Sequence, residues 1–197
     1  MNETTKMIVV LTLLSLISGG LLGALNNHFK GRIEDEVMKL VKGPAIRSIM
    51  TGSENNALNT RFKMKVGKTE KTFFVGVYHH KPSVVAFEVE GHGFADKLGL
   101  MVSFDVGKNK LHAIGVTTLM DTPGLGLRAK TDPKFAAQFR GLPLNSKFKV
   151  TADGGVINAL SGATITSRGV CAATAKAVHI YEKLKPQIIK KMNAAVH

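Results

Sequence analysis

Apolar positions crowd the front of the chain. From Met7 to Leu25 the run "MIVVLTLLSLISGGLLGAL" carries no charge, and as a helix it would span about 28 Å, the thickness of a bilayer core. Its Leu, Ile and Val residues contribute about −3 to −7 kcal/mol toward insertion. Residues 1–30 therefore read as a retained transmembrane anchor. A cleaved signal peptide fits less well: the run is long for one, and a cut after Ala24 would put bulky Leu22 where a small residue is wanted. Gly19 and Gly23, with Gly20 and Ala24 offset by one, make a flat face that lets another helix approach closely.

Beyond the anchor the period changes twice. "RIEDEVMKLV" reads as a short amphipathic helix with Ile33, Val37, Leu40 and Val41 on one face, stopped by Gly43 and Pro44. It makes residues 31–60 a helical stalk and linker. From Phe62 to Met120 short β-type runs follow, "TFFVGVY", "SVVAFEVE", "LMVSFDV" and "LHAIGVTTLM", separated by Gly, Pro, Lys and Asn. "TDPKFAAQFRG" predicts a helix capped by Asp132, with Pro133 in its first turn, Phe135, Ala136 and Phe139 buried, and Gly141 closing it. "SKFKVTA" predicts a short strand. Val170, Ala173, Ala177, Val178, Tyr181 and Leu184 mark a last amphipathic helix of about five turns. The fold class is α+β: a transmembrane helix, then one domain, residues 61–197, with a mainly antiparallel sheet flanked by helices.

Composition narrows the function. The 197 residues suffice for one domain with a core once the anchor is set aside. Lys and Arg number 27 against 14 Asp and Glu, a formal charge of +13, which suits nucleic acid, anionic lipid headgroups or an acidic partner. The charges are scattered as on a solvated surface, and only "KLKPQIIKK", Lys183 to Lys191, is a local cluster. There is no Trp and no aromatic-rich basic motif, so a nucleic-acid partner is not expected. Cys171 is the one cysteine, which excludes a disulfide framework, a C-x-x-C-H haem site and a thiolate-held cluster. A redox role would need a cofactor held by other atoms.

Two loops carry the candidate chemistry. In "DTPGLGLRAK", Asp121 to Lys130, Pro123 fixes φ at the first central position of a turn. Gly124 permits the positive φ of a type II second position, and Gly126 leaves the backbone open to close approach. In "NALSGATITSRGV", Asn158 to Val170, Gly162 and Ala163 clear space around Thr164, which stands at a helix N-terminus where backbone N–H groups favour a phosphate. No histidine or carboxylate there would activate the hydroxyl, so this is no self-contained nucleophile and no catalytic residue is assigned. An ordinary turn and an unmodified N-cap threonine remain open for these loops. No Walker motif is present. A zinc or haem site from His79, His80, His92 and His112 is disfavoured, since adjacent histidines on a strand point to opposite faces and no zinc motif occurs; no metal is expected.

With its anchor, "TPGLG" at Thr122 to Gly126, "QFRG" at Gln138 to Gly141 and "SGATITS" at Ser161 to Ser167, the chain resembles the RnfG and NqrC FMN-binding subunits of bacterial ion-translocating complexes. The resemblance covers almost the whole chain, and its length favours the RnfG type over the longer NqrC type. It implies that residues 61–197 are an FMN-binding domain and that Thr164 carries FMN through a phosphoester, placed by a separate flavin transferase that uses FAD. It further implies that Ser161, Gly162 and Ala163 surround the phosphate, and that Thr122, Gly124, Leu125, Gly126 and Asp121 form the loop against the flavin. The implied function is electron relay inside a membrane complex that couples ferredoxin and NAD chemistry to Na⁺ or H⁺ transport. Its partners are other Rnf-type membrane and iron–sulfur subunits and membrane lipid. A membrane-anchored flavin sensor, an accessory module of another reductase, or an NqrC-type subunit of the Na⁺-translocating quinone reductase is the alternative. The family's turn usually begins with Glu where Asp121 stands, and an acidic residue is common where Asn158 stands. Lys30, Arg32, Lys39 and Lys42 after the span would keep the domain cytoplasmic on a plain count. The family places it on the periplasmic side of the inner membrane, and that placement is the expectation adopted.

Overall fold

The computed structural model describes residues 2–195, which form two compact units divided between Leu40 and Val41. The first is dominated by helix α1, Glu3–Glu36, whose stretch to Ile33 is long and apolar enough to cross a membrane, with a mean hydropathy of 2.3. Gly19, Gly20 and Gly23 have open space where a side chain would sit, as a face available to another helix requires.

A wide helical turn, Val37–Lys42, leads to helix α2, Gly43–Ile49. Gly43 and Pro44 thus begin a helix rather than ending one. Proline lacks only an N–H that no first-turn residue uses, so it is at home there. The reward for continuing is burial: Ile46 and Ile49 are both shielded from solvent.

Five strands, β1 Arg61–Val66, β2 Thr69–Tyr78, β3 Lys81–His92, β4 Lys97–Asp105 and β5 Lys110–Thr118, form one antiparallel meander in chain order. β1 lies outside the apolar runs that marked the other four because "RFKMKV" is a polar edge strand with only Met64 buried. Both faces of the sheet are covered, which explains the nearly continuous burial of β4. On one face Gly76 and Gly115 make room for α2; a Cβ on either would lie 2.9 Å from Met50 Sδ or 3.1 Å from Ile49 Cγ2. On the other, Val85, Phe87 and Val89 join Val170, Ala173 and Tyr181 of helix α5 in the main core. There Phe62, Phe73, Phe87, Phe104 and Tyr181 succeed one another at ring spacings of 4.3 to 5.7 Å.

His79 and His80 are not on a strand. They are the turn of the β2–β3 hairpin, with φ of 53° and 58°, the backbone such a two-residue turn demands. Glu54 supports them by accepting both of their N–H groups.

Short helices α3, Arg128–Thr131, and α4, Pro133–Ala137, follow the sheet, with Asp132 capping α4 through the Lys134 N–H at 2.9 Å. Phe135 and Phe139 are buried and Gly141 has φ +74°, as the pattern predicts. "SKFKVTA" is not a strand: only an isolated bridge joins Val150 to Ile157. The tight turn through Gly154, φ +75°, brings the chain back before a ladder can extend. Helix α5, Thr164–Ala194, is longer than the apolar spacing indicates and passes through Pro186. The carbonyl that Pro186 leaves without a helical donor belongs to exposed Glu182, where water can satisfy it.

Candidate functional site

Three segments distant in sequence meet at one end of the sheet: the β3–β4 loop, the loop after β5, and the start of α5. Between them lies a cleft of about 340 Å³ lined by Phe94, Asp121, Thr122, Leu125, Gly126, Gly162, Ala163, Thr164, Ile165 and Thr166.

Asp121 ties the three together. Its carboxylate is 7 % exposed and accepts hydrogen bonds from the N–H of Phe94 at 3.2 Å, the N–H of Ala95 at 2.9 Å and the hydroxyl of Thr166. Burial works against its charge, but the Ala95, Thr166 and Phe94 donors outweigh burial and hold the carboxyl below its ordinary pKa. Two glycines admit this side chain: a Cβ on Gly126 would lie 2.5 Å from Asp121 Oδ2, and one on Gly93 would lie 2.9 Å away. The Thr122 carbonyl receives the Leu125 N–H at 3.2 Å, and Gly124 has φ +76°, closing the turn that the Pro-Gly pair predicts.

The second loop is built as tightly. Gly162 has φ +76°, and a Cβ there would come within 2.9 Å of Leu125 Cδ2, so the two motif loops touch. Ser167 accepts the Leu160 N–H at 3.0 Å and donates to the Ala163 carbonyl at 2.9 Å, fastening the loop to the helix it precedes. Gln138 of "QFRG" grips the same loop from behind, accepting the Asn158 N–H at 2.7 Å and donating to the Asn158 carbonyl at 3.1 Å. Arg168 adds a two-pronged pair with Asp153, both contacts at 2.7 Å. α5 then crosses β3 closely. Gly169 stands against the His92 carbonyl with no room for a side chain, and a Cβ on Gly91 would lie 3.0 Å from Ala173 Cβ.

Thr164 is the first residue of α5 and is half-buried at the cleft. Ala163, not Thr164, is the N-cap, and it offers no side-chain bond to the first turn, so N–H groups there stay open to another acceptor. Asp121, Thr122, Leu125, Gly126, Gly162, Ala163 and Thr164 are thus brought to one cleft. Ser161 and Gly124 are exposed in the same two turns but do not line it. Sequence reasoning missed Phe94, Ile165 and Thr166. Phe94, 68 % exposed on a loop, left a signal in "GHGFAD", an aromatic residue beside flexible glycines; Thr166 left none. Among the described residues no three His, Cys, Asp or Glu side chains gather as a metal site.

Known proteins are similar to this chain. The family model described as FMN-binding domain matches residues 93–179, the segment from the β3–β4 loop through the first half of α5. The chain is 24 % identical to the G subunit of the ion-translocating oxidoreductase complex of Pseudomonas aeruginosa, over 96 % of this chain and 94 % of that one. It is 28 % identical to the protein of the same name from Methanosarcina acetivorans, over 90 % and 94 %. The crystal structure of Shewanella oneidensis NqrC superposes with a TM-score of 0.50 at 24 % identity, over 68 % of this chain and 72 % of that one, and has the same fold. The resemblance read from the anchor and the three motifs is upheld.

Proposed function

We propose, with the FMN-binding domain matched over residues 93–179 as premise, that the chain is a membrane-anchored electron-transfer subunit of an ion-translocating oxidoreductase complex, carrying FMN as a phosphoester on Thr164. The observation that carries this reading is the placement of Thr164. Its hydroxyl-bearing side chain stands at the N-terminus of a long helix, in a cleft whose loop turns through Gly162 at φ +76°.

The residues present fit the group. Phe94, Leu125 and Ile165 offer apolar surface, all three partly exposed around the cleft, suited to a flat aromatic ring. The open N–H groups of the first turn of α5 and the helix dipole suit a phosphate. When bound, FMN supplies the one-electron chemistry, and the protein supplies position and electrostatics. Attachment is the work of a flavin transferase using FAD. The Thr164 Oγ1–phosphorus bond forms as the FAD pyrophosphate breaks, AMP leaves, and the hydroxyl proton passes to solvent. Asp121 keeps the Phe94 loop and the α5 start in register for that exchange. Ser161 and Gly124 act on the loop conformations.

The similarity to the G subunits of ion-translocating oxidoreductase complexes and the apolar helix α1 support a membrane complex as the wider setting of this reading. Electrons travel between ferredoxin and NAD through neighbouring membrane and iron–sulfur subunits, driving Na⁺ or H⁺ across the inner membrane, with the flavin domain on the periplasmic side. The test is the intact mass of the chain purified from a host that contains the transferase. The expected value exceeds the sequence mass by one FMN less one water, with the adduct on the peptide holding Thr164. An unmodified chain from such a host would sink the proposal.

A further inference from the structure

A second cavity, of about 350 Å³, opens at the end of the sheet away from the cleft. β4 separates them: the cleft loop precedes its first residue, Lys97, and the cavity takes in its last, Asp105, roughly 25 Å along the strand. α2 contributes a wall at Ile49, and Thr51 follows it; the far side is Arg140. In "QFRG" the fold uses Gln138 to hold Asn158, Phe139 in the core and Gly141 in a turn. Arg140 alone does no such work. It is exposed and, among the described residues, pairs with no carboxylate.

Lys110 likewise has no ion-pair partner among the described residues, and Lys108 pairs with Asp105 at 3.6 Å. Asp105, the one carboxylate of the cavity, is further occupied by the Lys108 N–H at 2.8 Å. His112 is half-buried between these groups, 5.8 Å from the ring of Tyr78. One lysine of the sole basic cluster of the sequence reaches the same end of the domain: Lys185 of α5 donates to Asn109 at 2.8 Å, between Lys108 and Lys110, whereas Lys191 is tied to the Lys63 carbonyl of β1 at the opposite edge of the sheet.

We propose that this cavity is an anion site for a phosphate-bearing ligand, held by Arg140, Lys110 and Lys108 with His112 at its base. A planar guanidinium and two ammonium groups around one concave space match the geometry and charge of a phosphate, and the cavity lies within the range of small-ligand pockets. Burial holds His112 below its ordinary pKa; Asp105 opposes this, while Arg140 and Lys108 act with burial. A bound anion adds negative charge beside His112, which favours its protonated form.

The ligand is a lipid headgroup or a soluble phosphate compound, and the test separates them. The full-length chain in phosphatidylcholine nanodiscs is titrated with inorganic phosphate at constant ionic strength, and the His112 imidazole signal is followed by NMR. The same signal is recorded in nanodiscs containing phosphatidic acid. A saturable shift with phosphate supports the site with a soluble source; a shift in phosphatidic acid nanodiscs alone supports it with a lipid source. Arg140→Gln is expected to weaken either response roughly tenfold or more, and Lys110→Gln to weaken it as well. No saturable shift in either arm, or the same shift in both variants, overturns the proposal. The His112 signal keeps this result separate from anion binding at the α5 N-terminus, where the flavin reading stands or falls on its own.

Discussion

The hydroxyl of Thr166 donates to the carboxylate of Asp121 across 45 positions of sequence. This bond joins the strand-following loop to the helix start, two residues beyond Thr164. The same carboxylate holds the backbone of Phe94 and Ala95, so one side chain sets the separation of all three cleft walls.

Replacing Asp121 by Asn should therefore open the cleft. The amide presents hydrogens where three donors already converge, at a cost of about 2 kcal/mol, or roughly 4–8 °C in the thermal midpoint. The pH dependence has a fixed sign. Because the folded pKa lies below the ordinary 3.8, this contribution is complete above that value and fades as pH falls through the lowered one. Acid unfolding curves of parent and variant should converge at the acid end. A constant offset at all pH values would show that the charge plays no part.

Thr164→Ala removes the only side-chain oxygen at that position while leaving a good helix former at the start of α5. The expected outcome is a folded chain with no flavin fluorescence after denaturing electrophoresis. Retained fluorescence would move the attachment site elsewhere.

Gly162→Ala meets both a left-handed backbone and the Leu125 side chain. It should cost about 1–2 kcal/mol and reduce the flavin-bearing fraction measured by intact mass. A fully modified, equally stable variant would mean that the two motif loops separate freely.

Cys171 is buried and its thiol is pushed up to about 12, so in the folded chain it should resist thiol reagents at about pH 8. That silence makes a clean background for Lys190→Cys on the exposed tail. Labelling of that variant by an impermeant reagent, in cells whose outer barrier alone is opened, is expected for a periplasmic domain. Labelling only after inner-membrane lysis would place the domain inside.

Gly23→Leu adds bulk to the open glycine face of α1 without lowering its hydropathy. Membrane insertion should persist while co-purification with neighbouring subunits weakens. Undiminished co-purification would assign those contacts to the soluble domain.

Periodicity revealed what repeats. The anchor is one long uncharged apolar run, four of five strands are short apolar runs between turn residues, and the last helix buries a periodic face, and each of these patterns is visible before folding. β1 escaped notice because an edge strand need bury little, and "SKFKVTA" misled because Val150 is buried by Phe148 and Ile157 neighbours in the core rather than by a ladder. Pro44 begins a helix where the pattern predicts a stop, because proline forbids only a donor, and whether one is needed depends on the surroundings. At the cleft, the glycine turns and Thr164 were legible because left-handed backbone and helix starts leave local marks. Thr166 was not, because its role arises from Asp121, which reaches it only once the chain is folded.

The crowding of Gly169 against the His92 carbonyl bears on how far a flavin on Thr164 could travel. The start of α5 is pinned there to the sheet, by Ser167 to the preceding loop and by Thr166 to Asp121, which leaves no hinge beneath the attachment point. Any swing of the ring between an electron donor and an acceptor would arise from rotation about the single bonds of the phosphoester and ribityl chain. The reach of the carrier would then be a property of its tether, with the protein serving as a fixed post.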